Sequence, residues 1–195
     1  MDHDENEKQS MTTVFLSGSR KIGRIGKEVR GRMENMVHNG LAIVVGDANG
    51  ADKAMQSYLH ELRYSDVTVY FVGVAPRNNV GQWHTKNIVV GEGVSGREFY
   101  ALKDREMADV ADFGFVVWDG KSPGSVQNML WLAMQNKAAV VYVAPEERFY
   151  NLKTESELID MLARCDDATL NDIGRKIALP DRLKKTARRQ QALNV

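Results

Sequence analysis

Leu41-Ala42-Ile43-Val44-Val45-Gly46-Asp47-Ala48-Asn49-Gly50-Ala51-Asp52 is the stretch that decides the fold. Five apolar residues stop at a turn of small residues, and an apolar stripe of helical spacing (Ala51, Ala54, Met55, Tyr58, Leu59, Leu62) starts directly behind it. A buried strand therefore delivers a glycine turn onto a helix N-terminus. In an open α/β sheet such turns line the crevice outside the carboxyl ends of the strands, where ligands bind. Free backbone N–H groups at that point suit an anion such as phosphate.

The same beat repeats on either side. Thr12–Leu16 reads as a short strand, followed by the turn Ser17-Gly18-Ser19-Arg20 and a helical stripe of Ile22, Ile25, Val29, Met33, Met36 and Val37. Asn39-Gly40 ends that helix. Val67–Val72 is a third strand, Phe113–Trp118 a fourth and Ala138–Val143 a fifth. Helices are expected over 97–110 and from Val126 to Met134, with one more around Leu158, Ile159 and Leu162. Strands that alternate with helices and read as continuous apolar runs predict an α/β, Rossmann-like, open and mainly parallel sheet. Five strands or slightly more are expected, with helices on both faces. The stretch from Gly73 to Gly96 breaks the beat: it is polar, glycine-rich and carries Trp83 and His84, and a loop of that length suits a lid.

The chain divides into a polar acidic segment (1–11) expected to be disordered, a Rossmann-like domain (12–165) and a basic helical extension or tail (166–195). Lys+Arg and Asp+Glu both number 26, so total charge argues for neither nucleic acid nor membrane. The basic tail leaves nucleic acid open as a partner, less favoured than an oligomer contact or a solvated face. A single cysteine, Cys165, excludes an internal disulfide and fits a reducing, cytoplasmic compartment. No apolar run is long enough to span a membrane. The four histidines have no ligand spacing, so neither a metal nor a cofactor is expected.

Three turns carry the chemistry, and a parallel sheet brings all of them to one edge. Gly18, Ser19 and Arg20 supply backbone donors, a hydroxyl and a guanidinium suited to phosphate. Gly46, Asp47, Asn49, Gly50, Ala51 and Asp52 let backbone approach a ligand closely. Trp118, Asp119, Ser122, Pro123, Gly124 and Ser125 repeat the design, with a proline at a helix start. Each turn alone is ordinary helix capping; their convergence is what points to a ligand site. The known nucleotide fingerprints do not fit. Lys53 follows Asp52 rather than the glycine of a Walker A loop, and Gly91-Glu92-Gly93-Val94-Ser95-Gly96 lies in the long loop rather than behind a strand at the head of the domain.

These residues resemble a known family. Ser17-Gly18-Ser19-Arg20 and Gly46–Asp52 are similar to the two signature turns of the SLOG superfamily, the Smf/DprA and LOG proteins. In the Smf/DprA branch these turns run G-S-R and S-G-x-A-x-G-I-D. Lys103–Asp112, Trp118-Asp119-Gly120 and Ser122–Ser125 resemble the small single-domain YspA-type branch, and the similarity runs from about Thr12 to Val143. The resemblance implies binding or sensing of a nucleotide or nucleotide-derived small molecule, in a protein expected to be a homo-oligomer. The alternatives it implies are cleavage of an N-glycosidic bond (phosphoribohydrolase or deoxyribosyltransferase-like) and single-stranded DNA binding. Asn128 stands where the phosphoribohydrolase turn has its glutamate, and an amide is neither a general base nor a carboxylate nucleophile. Glu98 and Asp119 are the carboxylates left as catalytic candidates.

Overall fold

The structure, a computed structural model, describes residues 11–91 and 93–177. Seven strands form one sheet: β1 (Thr13–Gly18), β2 (Ala42–Gly46), β3 (Val67–Phe71), β4 (His84–Asn87), β5 (Phe113–Trp118), β6 (Ala139–Val143) and β7 (Arg148–Leu152). Their order across the sheet is β4-β3-β2-β1-β5-β6-β7, and every pairing is parallel except β6 with β7. The helices are α1 (Lys27–His38), α2 (Ala51–Glu61), α3 (Gly96–Val110), α4 (Pro123–Met134), α5 (Glu155–Leu162) and α6 (Asp167–Lys176).

The two faces of the sheet bury separate cores. Val14, Leu16, Ile43, Val45 and Val69 pack with Val29, Met33, Met55 and Leu59 of α1 and α2. The alternate residues Phe15, Val44, Val116 and Val141 pack with Met107, Val126, Met129, Leu158 and Ile173 of α3 to α6. This alternation is why the strands read as unbroken apolar runs. At β1 the winding reverses, because β1 lies between β2 on one side and β5 on the other. The carboxyl ends of β1 and β5 therefore flank the topological switch point.

The five expected strands are present, and two edge strands are added to them. β4 lies within the stretch expected to be a loop, and its sequence His-Thr-Lys-Asn is polar because an edge strand has only one paired side. β7 folds back antiparallel through the short turn Ala144–Glu146. The packed unit also runs past residue 165. Ile173 of α6 is fully buried and Ile177 nearly so, both in the core beneath α4 and α5. The rest of the expected basic tail and the acidic N-terminal segment up to Ser10 lie outside the described residues. No helix among the described residues is long and apolar enough to cross a membrane.

α5 shows how a helix start is fixed locally. Thr154 Oγ1 accepts from the Glu157 N–H at 3.2 Å while Glu157 Oε2 accepts from the Thr154 N–H at 3.0 Å, a reciprocal capping box. Thr154→Ala is expected to lower stability by about 1 kcal/mol, read as a shift in the urea midpoint at unchanged slope. No shift would mean that α5 is held by its apolar face alone.

Candidate functional site

The turn after β1 is built by close packing rather than by flexibility. A Cβ at Gly18 would lie 2.5 Å from the Val117 carbonyl oxygen and 2.6 Å from Ala51 Cβ, so only glycine lets β1, β5 and α2 meet there. Gly50, at φ +88°, lies against the Arg20 backbone, where a Cβ would be 2.3 Å from the carbonyl oxygen. The Ala51 N–H donates to the Ser19 carbonyl at 3.2 Å. Ser19 itself is fully buried. Its Oγ donates to Asp119 Oδ1 at 3.0 Å, lies 3.1 Å from Ser125 Oγ and accepts from the Asp119 N–H at 3.0 Å. One hydroxyl thus joins the turns after β1 and β5 to the start of α4.

Over this junction, between α3 and α4, opens a cleft of about 600 Å³. One wall is the turn after β1, with Ser17, Gly18, Arg20 and Lys21. A second is a stripe of α3, with Gly96 and Arg97 exposed and Tyr100, Ala101 and Asp104 half-buried. The third is Asp119, Lys121, Ser122 and the first turns of α4 from Pro123 to Asn128, continued by Trp131 and by Asp172, Lys176 and Ile177 around α6. Asp52, Lys103 and Ala48 complete the lining. Ser122 caps α4 without a side-chain hydrogen bond, and Pro123 occupies its first turn. The helix N-terminus at the cleft favours negative charge there.

Electrostatics differ between mouth and floor. Arg20, Lys21, Arg97 and Lys121 enter no ion pair among the described residues. The Arg20 guanidinium lies 5.5 Å from the centre of the Tyr100 ring and that of Arg77 lies 4.6 Å from it. Deeper down, Lys103 is buried and paired with Asp104. Burial pushes its ammonium down, but the charges of Asp104 and Asp52 outweigh this and hold it above the usual lysine range. Asp52 is the surplus carboxylate. A Cβ at Gly46 would lie 2.5 Å from both Asp52 Oδ2 and Lys103 Nζ, so the two groups are no further apart than twice that distance. Burial still pushes the Asp52 carboxyl up, to about 7.

Of the residues expected from sequence, Gly18, Arg20, Asp52, Asp119, Ser122, Pro123, Gly124 and Ser125 come together around the cleft. Others sit elsewhere. Trp118 is buried in the core with its indole N–H donating to the Ser122 carbonyl at 3.1 Å. Asp47 takes a bidentate pair from Arg77, at 2.9 and 2.6 Å, and also accepts the Arg77 N–H at 3.0 Å. Asn49 accepts from Asn78 Nδ2 at 3.0 Å. Ser19 is occupied as described, and Gly46, Gly50 and Ala51 pack behind the lining. Glu98 is exposed on α3 outside the cleft. Asp119 Oδ1 is used three times, by Ser19 and by the N–H groups of Lys121 and Ser122.

The contacts of Asp47 and Asn49 also correct the reading of residues 73–96 as a lid. Asn78 donates to the Asp47 carbonyl, Val80 N–H to Gln56 Oε1, and the Trp83 indole to the Tyr64 carbonyl at 2.8 Å. Among the described residues of that stretch, Gly96 alone lines the cleft. Tyr100, Trp131 and Lys121 were missed by sequence reasoning. The signal that could have found Tyr100 is the i, i+4 stripe Gly96, Tyr100, Asp104, which faces the cleft but reads as a solvated helix face. Among the described residues no cluster of three or more His, Cys, Asp or Glu could hold a metal ion.

No family model matches the chain, and no curated protein is similar to it in sequence. Among solved structures, DNA processing protein A from Helicobacter pylori, which is described by a unique mode of single-stranded DNA binding, has a similar fold. The TM-score is 0.53 at 17% identity, over 84% of this chain and 79% of that one. At that identity the likeness is one of architecture: the chain has a DprA-like, Rossmann-like α/β fold.

Proposed function

We propose that the chain binds single-stranded DNA in the cleft between α3 and α4. Phosphates sit at the α4 N-terminus among Arg20, Lys21 and Lys121, and bases lie against Tyr100 and Trp131. The observation that carries the reading is the meeting, in one cleft, of two aromatic rings with four basic side chains that enter no ion pair among the described residues. Cations that follow the backbone and aromatic faces that stack on bases are the sequence-tolerant way to hold a single strand. The fold likeness to a single-stranded DNA binder supports it. Membership of the SLOG superfamily rests on the two signature turns and this likeness, and the YspA-type placement on motif order alone.

A labelled oligonucleotide followed by fluorescence anisotropy over a salt series tests the proposal. Arg20→Ala combined with Lys121→Ala is expected to weaken binding about tenfold or more. It should also flatten the slope of log affinity against log salt by about 1.4, at roughly 0.7 for each single-strand phosphate lost. An unchanged slope would remove the cleft from the interface.

The second reading is a nucleotide or nucleotide-derived small molecule in the same cleft. Its volume, about 600 Å³, is that of a small-ligand pocket. Calorimetry decides between them: a mononucleotide that binds as tightly as an oligonucleotide favours the small molecule. For N-glycosidic cleavage Asp119 is the carboxylate at the α4 turn, held through Oδ1 by Ser19 and by the N–H groups of Lys121 and Ser122, while Asn128 carries an amide.

A further inference from the structure

The cleft floor holds two polar atoms that nothing in the fold satisfies. Ser17, at the end of β1, is 4% exposed, and Asn128, in the second turn of α4, is 5% exposed. Neither Ser17 Oγ nor Asn128 Oδ1 has a hydrogen-bond partner among the described residues, and both residues line the cleft. The other buried hydroxyls and amides nearby are all used: Ser19 and Ser125 bond each other, and Gln56 binds the Gly46 carbonyl and the Val80 N–H. An orphaned buried acceptor is costly and is kept for a reason. Asn128 Oδ1 can only accept, and a serine hydroxyl accepts as readily as it donates. Asn128 Oδ1 calls for a donor from the occupant, and Ser17 Oγ is able to accept from the same group.

We propose that this floor reads the exocyclic amino group of one nucleobase in a bound single strand. Ser17 Oγ and Asn128 Oδ1 each accept one of its two N–H hydrogens. The inference rests on the single-stranded DNA reading above. Within a DNA strand the ionised phosphates have no donor, and both bridging sugar oxygens are esterified, so only the bases carry N–H groups. Cytosine, adenine and guanine place two of them on one exocyclic nitrogen. Thymine has a ring N–H alone and cannot satisfy both atoms from one nitrogen. The floor therefore prefers an amino-bearing base, while the cations and aromatic rings at the mouth remain indifferent to sequence.

The test is anisotropy at one salt concentration with oligo-dC, oligo-dA, oligo-dT and oligo-dU of equal length. The wild-type protein is expected to bind dC and dA about tenfold or more above dT. It should bind dU like dT, since dU differs from dC chiefly by replacement of the amino group. Asn128→Leu should bring dC down to the dT level, so that the ratio of dC to dT affinity falls to about one. It should also raise the Tm, because an unsatisfied acceptor leaves the core; Ser17→Ala makes the same comparison if the leucine variant does not fold. Equal affinity of the wild type for all four strands overturns the inference and leaves single-stranded DNA binding standing. Failure of every strand to bind overturns both. A preference for ribo- over deoxyribo-oligonucleotides without base discrimination also overturns it, and would assign the two atoms to a sugar hydroxyl.

Discussion

Removing the guanidinium in Arg77→Ala is expected to destabilise the fold by about 3 kcal/mol at pH 7. Asp47 is 1% exposed, so without Arg77 its carboxylate stays buried with its bidentate partner gone, a class of lesion that costs about 3–5 kcal/mol. The lower end applies because the arginine side chain is itself 33% exposed and partly screened. The effect carries a pH signature. Burial pushes the Asp47 carboxyl up, but the Arg77 hydrogen bonds and the Lys103 charge overcome this and hold it below the usual 3.8. A depressed native value means stability that is present above the unfolded value and lost as pH falls through the native one. The gap between wild type and variant should therefore close below about pH 4, measured by urea unfolding at pH 7 and pH 3. A loss of equal size at both would assign the role of Arg77 to packing on Tyr100 rather than to the ion pair.

Asp52→Asn should do the reverse and stabilise the protein. Lys103 is already paired with Asp104, so an ionised Asp52 is a buried charge in surplus. Its native pKa of about 7 lies above the ordinary 3.8, so between those limits the native state holds a proton that the unfolded state has released. Stability then falls as pH rises through that window, with the penalty fully present above it. Asparagine keeps an oxygen for the Ala48 N–H and removes the charge. The expected gain at pH 8 is on the order of 2–4 kcal/mol, from roughly three pKa units at 1.36 kcal/mol each, and it should vanish near pH 4. A variant less stable than wild type at pH 8 would show that attraction to Lys103 outweighs burial.

Parts of the fold differ in how far composition betrays them. The five central strands are covered on both faces, and double burial demands unbroken apolar runs that stand out in any window. β4 and β7 have one unpaired edge, so His84-Thr85-Lys86-Asn87 carries no apolar signal and Arg148–Leu152 only a weak one. Ile173 in α6 is the one fully buried residue of a polar helix, too sparse a stripe to mark a docked element. At the site, the glycine turns were legible because only certain residues can make them. Which of their polar groups face a ligand was not. Asp47 and Asn49 have the chemistry of ligand contacts, yet they fasten residues 77 and 78. Ser19 has the same hydroxyl as Ser17, but one is consumed by Asp119 and Ser125 and the other is left without a partner. That distinction depends on contacts about 100 residues apart in the chain.

The close packing of the turns has a thermodynamic consequence. Gly18 against Ala51 and Val117, Gly50 against Arg20 and the Ser19 hydroxyl across to Asp119 fasten the turns after β1, β2 and β5 to one another before any ligand arrives. A single strand docked as proposed would immobilise chiefly the long side chains of Arg20, Lys21, Arg97 and Lys121. The entropy lost by the protein is that of a few rotamers, about 0.5–1.5 kcal/mol each, rather than of an ordered loop. In the proposed complex most of the ordering would fall on the DNA, so shortening or stiffening the strand should change affinity more than stiffening the protein.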